Sequence, residues 1–454
     1  MPFKRDPRRV TQRPRRVTAP QAVVLGFAGV IALGTAALAL PIAHAPGETV
    51  TVLDAAFTAV SAVCVTGLIV VDTPVAFSLF GEVVILLLIQ LGGLGIMLVA
   101  SLIGVTLARR MRLRSRIATA TENRSVTLGD AGRLARGILL TSLLIEGLLA
   151  IVLSVRFALA YGYGALEAGW LGVFHAVSSF NNAGFSLFSD SMVGFATDPI
   201  IVLPMCVAII LGGLGFPVLL QLRKELRRPL HWSMNTNIVL SMSAVLLVAG
   251  TIWIAVNEWT NPDTIGSMSV ADRVLVSFFH SVQTRTAGFN SVDIGLMSPE
   301  TWLGMDILMF IGGGPAGTAG GIKVTTFAVL FFIILTELRG DGAVNIFGKR
   351  LSRAVHRQAI TIALMGAAAV AMGTVALMSW TDRELGEVLF EATSAFGTVG
   401  LSTGITGDLP AGAEVLLMVL MFLGRLGPLT LGTALVLRDR RTLYELPKER
   451  PAIG

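Results

Sequence analysis

Residues 57–68 read FTAVSAVCVTGL, and the same pattern returns three times: FHAVSSFNNAGF at 174–185, FHSVQTRTAGF at 279–289 and FEATSAFGTVGL at 390–401. The distance from the opening Phe to the late glycine is ten positions in three copies and nine in the third, which puts Gly67, Gly184, Gly288 and Gly400 in register. The first glycine of a second cluster follows 24 to 28 residues later: LGGLG (91–95), LGGLG (211–215), IGGGP (311–315) and LGRLG (423–427). Self-similarity of this kind marks one structural unit used four times.

Each copy lies between two apolar runs. The runs before it are 22–43, 138–160, 236–256 and 359–380; those after it are 83–108, 199–220, 302–335 and 413–437. A run of about 20 apolar residues spans a hydrocarbon core of about 30 Å. The short segments between them, 54–64, 169–180, 272–284 and 385–397, are a different matter. At ~1.5 Å per residue they cover about 18 Å, too little to cross. They read as re-entrant half-helices, each ending in a glycine loop. The expected fold is an all-α integral membrane protein of four helix–pore loop–helix repeats, with eight transmembrane helices and four half-helices around one central pore. Its divisions are a basic tail (1–19), repeat 1 (20–116), repeat 2 (117–228), repeat 3 (229–340), repeat 4 (341–437) and a C-terminal tail (438–454).

Composition points the same way. Of 454 residues, 54% are hydrophobic and 14% charged, against roughly a quarter charged in soluble domains. Two cysteines, Cys64 and Cys206, exclude a disulfide scaffold and read as core. Continuous apolar runs exclude a spanning β-barrel. The net charge of +6 does not indicate nucleic acid, because 29 of the 35 Lys and Arg fall in five blocks at 1–19, 109–136, 223–228, 339–357 and 438–450. Apolar runs separate the blocks, as the positive-inside rule requires of cytoplasmic segments. The basic tail leads into a retained first helix, so the chain reads as a multi-pass cell-membrane protein with both termini cytoplasmic.

The loops carry the chemistry. They are Val65-Thr66-Gly67-Leu68, Asn182-Ala183-Gly184-Phe185, Thr286-Ala287-Gly288-Phe289 and Thr398-Val399-Gly400-Leu401. None contains a carboxylate, Cys or Lys, so the available ligands are main-chain carbonyls, helped by Thr and Asn side chains. Rings of carbonyls replace the hydration shell of K⁺ in selective pores. The half-helices would also turn partially negative C-terminal ends toward the cavity, which favours a cation. The expected ligand is K⁺.

A ten-residue stretch in repeat 3, Gly312-Gly313-Gly314-Pro315-Ala316-Gly317-Thr318-Ala319-Gly320-Gly321, interrupts an apolar run. Gly costs about 1 kcal/mol and Pro about 3 in a helix interior, so no continuous helix is expected there. It reads as an intramembrane gating loop, with a kinked, tightly packed helix as the alternative. Its G-x-G-x-x-G match lacks a strand before it and is discarded as a dinucleotide site. Arg425, at membrane depth, should face the cavity near the gate or pair with a buried acid such as Glu146. Lys323 could take either role. His175 and His280 occupy matching half-helix positions and read as packing or hydrogen-bonding groups, while His44, His231 and His356 lack ligand spacing. Gly92, Gly93, Gly212 and Gly213 read as helix-packing sites.

Four such repeats in one chain, with T-V-G, N-A-G-F and R-T-A-G-F loops, resemble the Trk/Ktr/HKT potassium-transporter superfamily, and at this length the KtrB-type membrane subunit, over about residues 20–440. The resemblance implies K⁺ uptake, Na⁺-dependent, by a homodimer with one pore per protomer and a separate cytosolic KtrA-type nucleotide-binding regulatory ring. Na⁺ would be an activator, and no cofactor is expected on this chain. In the plant branch a Ser at the first filter glycine accompanies Na⁺ transport, so Gly67 favours K⁺. An alternating-access cation symporter is the alternative, although four units in one orientation suit a single axis better than paired inverted repeats. An intramembrane enzyme would need a nucleophile–base pair or metal cluster that the loops do not offer.

Overall fold

The computed structural model describes residues 19–116 and 128–427. Residues 1–18 of the expected basic tail (1–19), the loop 117–127, the end of the last apolar run, 428–437, and the expected C-terminal tail, 438–454, lie outside the described residues.

Repeat 1 comprises α1 (Ala19–Leu38), α2 (Val52–Cys64), the single turn α3 (Thr73–Ala76) and α4 (Leu79–Arg116). Repeat 2 comprises α5 (Leu128–Ala160), α6 (Ala165–Asn181), α7 (Pro199–Leu214) and α8 (Phe216–Glu225). Repeat 3 comprises α9 (Met234–Glu258), α10 (Val270–Gln283), α11 (Pro299–Phe310) and α12 (Val324–Arg339). Repeat 4 comprises α13 (Arg353–Trp380), α14 (Leu385–Gly397) and α15 (Ala411–Leu426).

Residues 21–38 of α1, 132–160 of α5, and all of α9 and α13 are long and apolar enough to cross a bilayer. Their large side chains are bare: Leu33 is 74% exposed, Leu144 62% and Met372 68%. Such a surface suits hydrocarbon, where apolar side chains cost nothing and backbone groups must pair within the helix. The short helices α2, α6, α10 and α14 have 13, 17, 14 and 13 residues and are largely buried. The starts of α2, α10 and α14 are set by local caps, whereas α6 follows Gly164 without a side-chain cap. Thr51 and Asp54 form a capping box on α2, Glu384 and Glu387 one on α14, and the Ser269 side chain accepts from the Asp272 amide at α10. These caps satisfy amides that would otherwise lack partners.

Packing closes the four units on one another. Within repeats 1, 2 and 4 the short helix packs on both the helix before it and the helix after it; α10 packs on α9. Between repeats, α4 packs on α6, α7 on α10, α11 on α14, and α15 returns to α2. The order is cyclic, which a linear chain of repeats does not require.

Two closing runs depart from plain helices. The run 199–220, expected as one helix, is broken at Gly215, where α7 and α8 meet at 102°. Gly215 has φ +90°, Pro217 follows within the first turn of α8, and the Gly215 position abuts the Pro315 carbonyl. The bend makes room for the chain between α11 and α12. The expectation of an all-α chain also misses a small hairpin, β1 (Asn345–Ile346) with β2 (Lys349–Arg350), paired Asn345 with Arg350 and Ile346 with Lys349. Phe347 and Gly348 both have positive φ, the geometry of the two-residue turn that matches strand twist, and Ile346 is buried beside Ile238 and Ala328.

Candidate functional site

Each glycine loop opens on a left-handed residue, at the C-cap of α2, α6 and α14 and three residues past the end of α10. Val65, Asn182, Thr286 and Thr398 have φ of 55°, 58°, 74° and 50°. Such conformations cost non-glycine residues roughly 1–3 kcal/mol each and persist only where surroundings impose them. The amide of the next residue then turns back to its own helix: Thr66 N to Ser61 O (2.8 Å), Ala183 N to Ser178 O (2.8 Å), Ala287 N to Gln283 O (3.0 Å) and Val399 N to Ser394 O (2.9 Å). With those amides engaged in the scaffold, the carbonyls of Thr66, Ala183, Ala287 and Val399 are left for the centre.

There the four loops meet. A Cβ on Gly67 would strike the Ala183 carbonyl, one on Gly184 the Ala287 carbonyl, one on Gly288 the Val399 carbonyl and one on Gly400 the Thr66 carbonyl. Each would also come within 2.9, 3.1, 3.2 and 3.0 Å, in that order, of the next glycine's Cα. The ring therefore closes on itself, and only glycine fits at these four places. In the same loops the hydroxyls of Thr66, Thr286 and Thr398 and the Asn182 amide nitrogen are buried without a protein partner.

A second contact from each short helix holds the ring. The Ser61 and Ser394 hydroxyls accept from the Gly67 and Gly400 amides at 3.0 and 3.1 Å. The Ser178 hydroxyl donates to the Phe185 carbonyl at 2.8 Å, and the Gln283 side chain accepts from the Phe289 amide at 3.1 Å. Beyond the glycines opens a cavity of about 270 Å³ lined by all four of them, with Asp72 and Asp293 also on its wall. Two carboxylates there raise the local cation concentration, an effect that salt screens.

Before the glycines lies the stretch that joins α11 to α12. The helix stops at Phe310 and resumes at Val324. Ile311 and Ile322 pair at its neck, where the Gly312 amide reaches the Ile322 carbonyl at 2.9 Å. Repeats 2 and 4 grip the loop directly, and repeat 1 is tied to it through Arg425. From repeat 2, the Gly213 and Gly212 carbonyls accept from the Gly314 and Thr318 amides at 2.7 and 3.1 Å, and the Phe216 amide donates to Ala316 O at 3.2 Å. The Thr318 hydroxyl donates to the Asn182 side chain at 2.9 Å. From repeat 4, Arg425 donates to the Thr318 carbonyl and, at 3.0 Å, to the Gly92 carbonyl of repeat 1. Gly320 abuts the Thr398 hydroxyl, and Lys323 donates to the Ala319 carbonyl at 2.5 Å. The loop thus touches Asn182 and Thr398, on the side of the ring away from the 270 Å³ cavity.

Several residues do more than their sequence reading assigned. Gly92 and Gly212 do pack on short helices, against the Val63 and Phe180 carbonyls, but their own carbonyls also hold Arg425 and the loop. Arg425 does not pair with Glu146, which accepts instead from Gln90 at 3.1 Å and Asn181 at 3.2 Å, tying α5 to α4 and α6. Arg285 was missed. One residue before Thr286 and 8% exposed, it donates to the Ser243 carbonyl (3.1 Å), the Ser243 hydroxyl (3.2 Å) and the Gly312 carbonyl (3.4 Å). A charge inside R-T-A-G-F was the available signal, since an Arg at membrane depth needs a built-in partner. Cys64 and Cys206 are free and buried, and among the described residues no three His, Cys, Asp or Glu gather as a metal centre.

Comparisons with known proteins bear on this geometry. A family model described as "TrkH: Cation transport protein" matches residues 11–440. The chain is 38% identical over 415 residues to Ktr system potassium uptake protein B of Bacillus subtilis, covering 91% of this chain and 92% of that protein. It is 37% identical to the protein of the same name from Vibrio alginolyticus, covering 96% and 95%. Identity to the potassium/sodium uptake protein NtpJ of Enterococcus hirae is 32%, covering 97% and 98%. The solved structure of the potassium transporter TrkH from Vibrio parahaemolyticus superposes with a TM-score of 0.73 at 19% identity, covering 95% of this chain and 87% of that one, which shows a shared fold. The likeness read from the four loops is borne out: the chain belongs to the TrkH family of cation transport proteins and is a membrane transport protein, not an enzyme.

Proposed function

We propose that this chain is the potassium-translocating subunit of a K⁺ uptake system, with the glycine ring as its selectivity filter. The supporting observation is the closed ring itself. Four carbonyls, from Thr66, Ala183, Ala287 and Val399, lie against four glycines from successive repeats, with the intervening amides turned away. Such a ring offers oxygen ligands without a fixed negative charge, which suits a weakly hydrated monovalent cation. The unpartnered hydroxyls of Thr66, Thr286 and Thr398 add oxygens to the same region. The names of the relatives, potassium uptake proteins among them, support the same ion.

In this reading the architecture is eight membrane crossings and four re-entrant half-helices about one pore, and the loop 312–321 with Lys323 and Arg425 is the gate. Arg425 holds the loop closed through Thr318, and its charge raises a barrier to cations beneath the filter. Na⁺ acts as an activator of K⁺ flux, for which the potassium/sodium name of one relative is the support. The chain works as a homodimer with a cytosolic KtrA-type nucleotide-binding ring, as a component of a Ktr-type system. An alternating-access symporter is disfavoured, because the four units pack in a cycle and two crossings with a returning half-helix would keep every unit in the same orientation, leaving no pair of inverted halves to rock.

The test is rescue of growth at low K⁺ in cells lacking their own K⁺ uptake, with and without a coexpressed regulatory ring. Rescue, with Rb⁺ competing strongly and Na⁺ weakly for entry, is the expected result. Protein present in the membrane without rescue or flux overturns the reading.

A further inference from the structure

One turn before the side chains that hold the glycines, each short helix carries a second polar position: Thr58, His175, His280 and Glu391. Eleven residues further on, on the strand that leaves the ring, stand Ile69, Ser186, Ser291 and Ser402. In three repeats the two positions are joined. The His175 Nδ1–H donates to the Leu171 carbonyl at 2.7 Å, so Nε2 accepts, from the Ser186 hydroxyl at 3.0 Å and the Leu187 amide at 3.3 Å. His280 Nε2 accepts from the Ser291 amide at 3.4 Å and lies 3.1 Å from its hydroxyl. Glu391 accepts from the Ser402 hydroxyl and, at 3.1 Å, from Thr406. All three acceptors have no accessible surface. Repeat 1 has no counterpart, because Ile69 has no polar side chain to offer.

From this equivalence we propose that His175, His280 and Glu391 are positioning residues that set ion specificity, bracing the strands that leave the filter so that its carbonyls hold the spacing of K⁺. The proposal rests on the filter reading above. The physical case is one of tolerance. K⁺ and Na⁺ differ in radius by a fraction of an ångström, so where discrimination rests on cavity size a carbonyl ring keeps it only while the chain segments leaving it cannot close inward. The side chains at Ser61, Ser178, Gln283 and Ser394 hold the glycine end of each loop. The three braces hold the far end, one helical turn away. Imidazole and carboxylate are chemically unlike, yet both serve here as a buried acceptor facing a serine at a fixed offset. The ring is therefore braced on three sides and most compliant at Leu68 and Ile69.

The test is the K⁺/Na⁺ permeability ratio of the full chain in liposomes, read from reversal potentials, with monodispersity in detergent as the check on folding. Glu391→Ala, His175→Ala and Ser402→Ala each lower the ratio by about fivefold or more, the effect of losing one net hydrogen bond at the filter. Glu391→Gln, which keeps an acceptor for Ser402, retains the ratio within about twofold. The pair Glu391→Ala with Ser402→Ala is no worse than Glu391→Ala alone, because the Ser402 contact is already lost there. Thr58→Ala, at the unbraced position, leaves the ratio unchanged. Should the glutamate or histidine variants fail to fold, Ser402→Ala alone decides. An unchanged ratio in Ser402→Ala, or an equal drop in Thr58→Ala, overturns the proposal. A wild-type chain that passes K⁺ and Na⁺ equally overturns the filter reading, and the braces with it.

Discussion

Arg425 and Thr318, 107 residues apart, are joined by a hydrogen bond from the guanidinium of α15 to a carbonyl in the middle of the loop between α11 and α12. The same guanidinium holds Gly92 of α4 at 3.0 Å. One side chain from repeat 4 therefore links repeat 1 to the loop of repeat 3. A charged donor is worth about 1.5–3 kcal/mol in such a bond, and its loss leaves two carbonyls to find other partners.

Arg425→Ala should accordingly raise K⁺ flux. If the bond biases the loop toward a closed state by about 1.4 kcal/mol, flux rises roughly tenfold. Liposome flux at matched protein content checks it. An unchanged or lower rate in monodisperse protein would show that Arg425 only supports the fold.

Deleting Gly313–Gly317 removes the Gly314 amide that bonds Gly213 and the Ala316 carbonyl that Phe216 holds. K⁺ flux should rise and lose its dependence on any regulatory ring. Flux that stays low, with the ring still in control, would remove the gate from this segment.

Gly288→Ala places a methyl group on the Val399 carbonyl at a φ of +82°. Left-handed backbone alone costs an L-residue about 1–2 kcal/mol, and here the clash falls on the proposed ligand. K⁺ flux should drop by roughly a hundredfold or more, the size of a barrier raised by about 2.7 kcal/mol. Gly67→Ser, whose side chain meets the Ala183 carbonyl in the same way, should also lose K⁺ flux and pass Na⁺ more readily relative to K⁺ in what remains, as reversal potentials would record.

Arg285 links the third loop to the start of the intramembrane segment through Gly312. Arg285→Gln keeps a donor for Ser243 but loses the charge, so coupling between ion occupancy and opening should weaken while K⁺ selectivity persists. Single-channel or flux measurements over a K⁺ series would show a flatter response.

Asp198 offers a pH test at the edge of the fold. Burial by itself would raise its carboxyl, but hydrogen bonds from Arg156 (2.8 Å), the Ile200 amide (3.0 Å) and Tyr161 (3.1 Å) outweigh it and hold the group below the usual carboxylate range. A depressed folded value means the stabilisation is complete above the unfolded value of about 3.9 and is lost as pH falls through the folded one. Asp198→Asn should lower the melting midpoint by a few degrees at pH 7 and lose less stability than wild type on acidification below pH 4. Parallel melting curves for the two proteins would contradict this.

Much of the protein was legible because repetition exposes it. The glycines at 67, 184, 288 and 400 and the apolar runs around them need only spacing to be seen, and they marked the loops that the structure brings together. The break after Phe310 was legible for the same local reason, since consecutive glycines with a proline cannot continue a helix. The bend at Gly215 was not. LGGLG at 211–215 matches LGGLG at 91–95, yet α4 runs straight on while α7 stops, because the loop's Pro315 lies against Gly215 and nothing comparable meets Gly95.

What the linear order of residues determined was the unit: its helices, its caps, its glycine loop and its membrane setting, all of which follow from composition, spacing and propensity over a few turns. What only the tertiary structure decided was the company each unit keeps. The closing contact of α15 on α2, the Arg425–Thr318 bond, the Arg285–Gly312 bond and the absence of an Arg425–Glu146 pair each join residues far apart in the chain. Such choices depend on which buried carbonyl is left unpaired once the four units have met, and that is fixed by three-dimensional packing rather than by any local pattern.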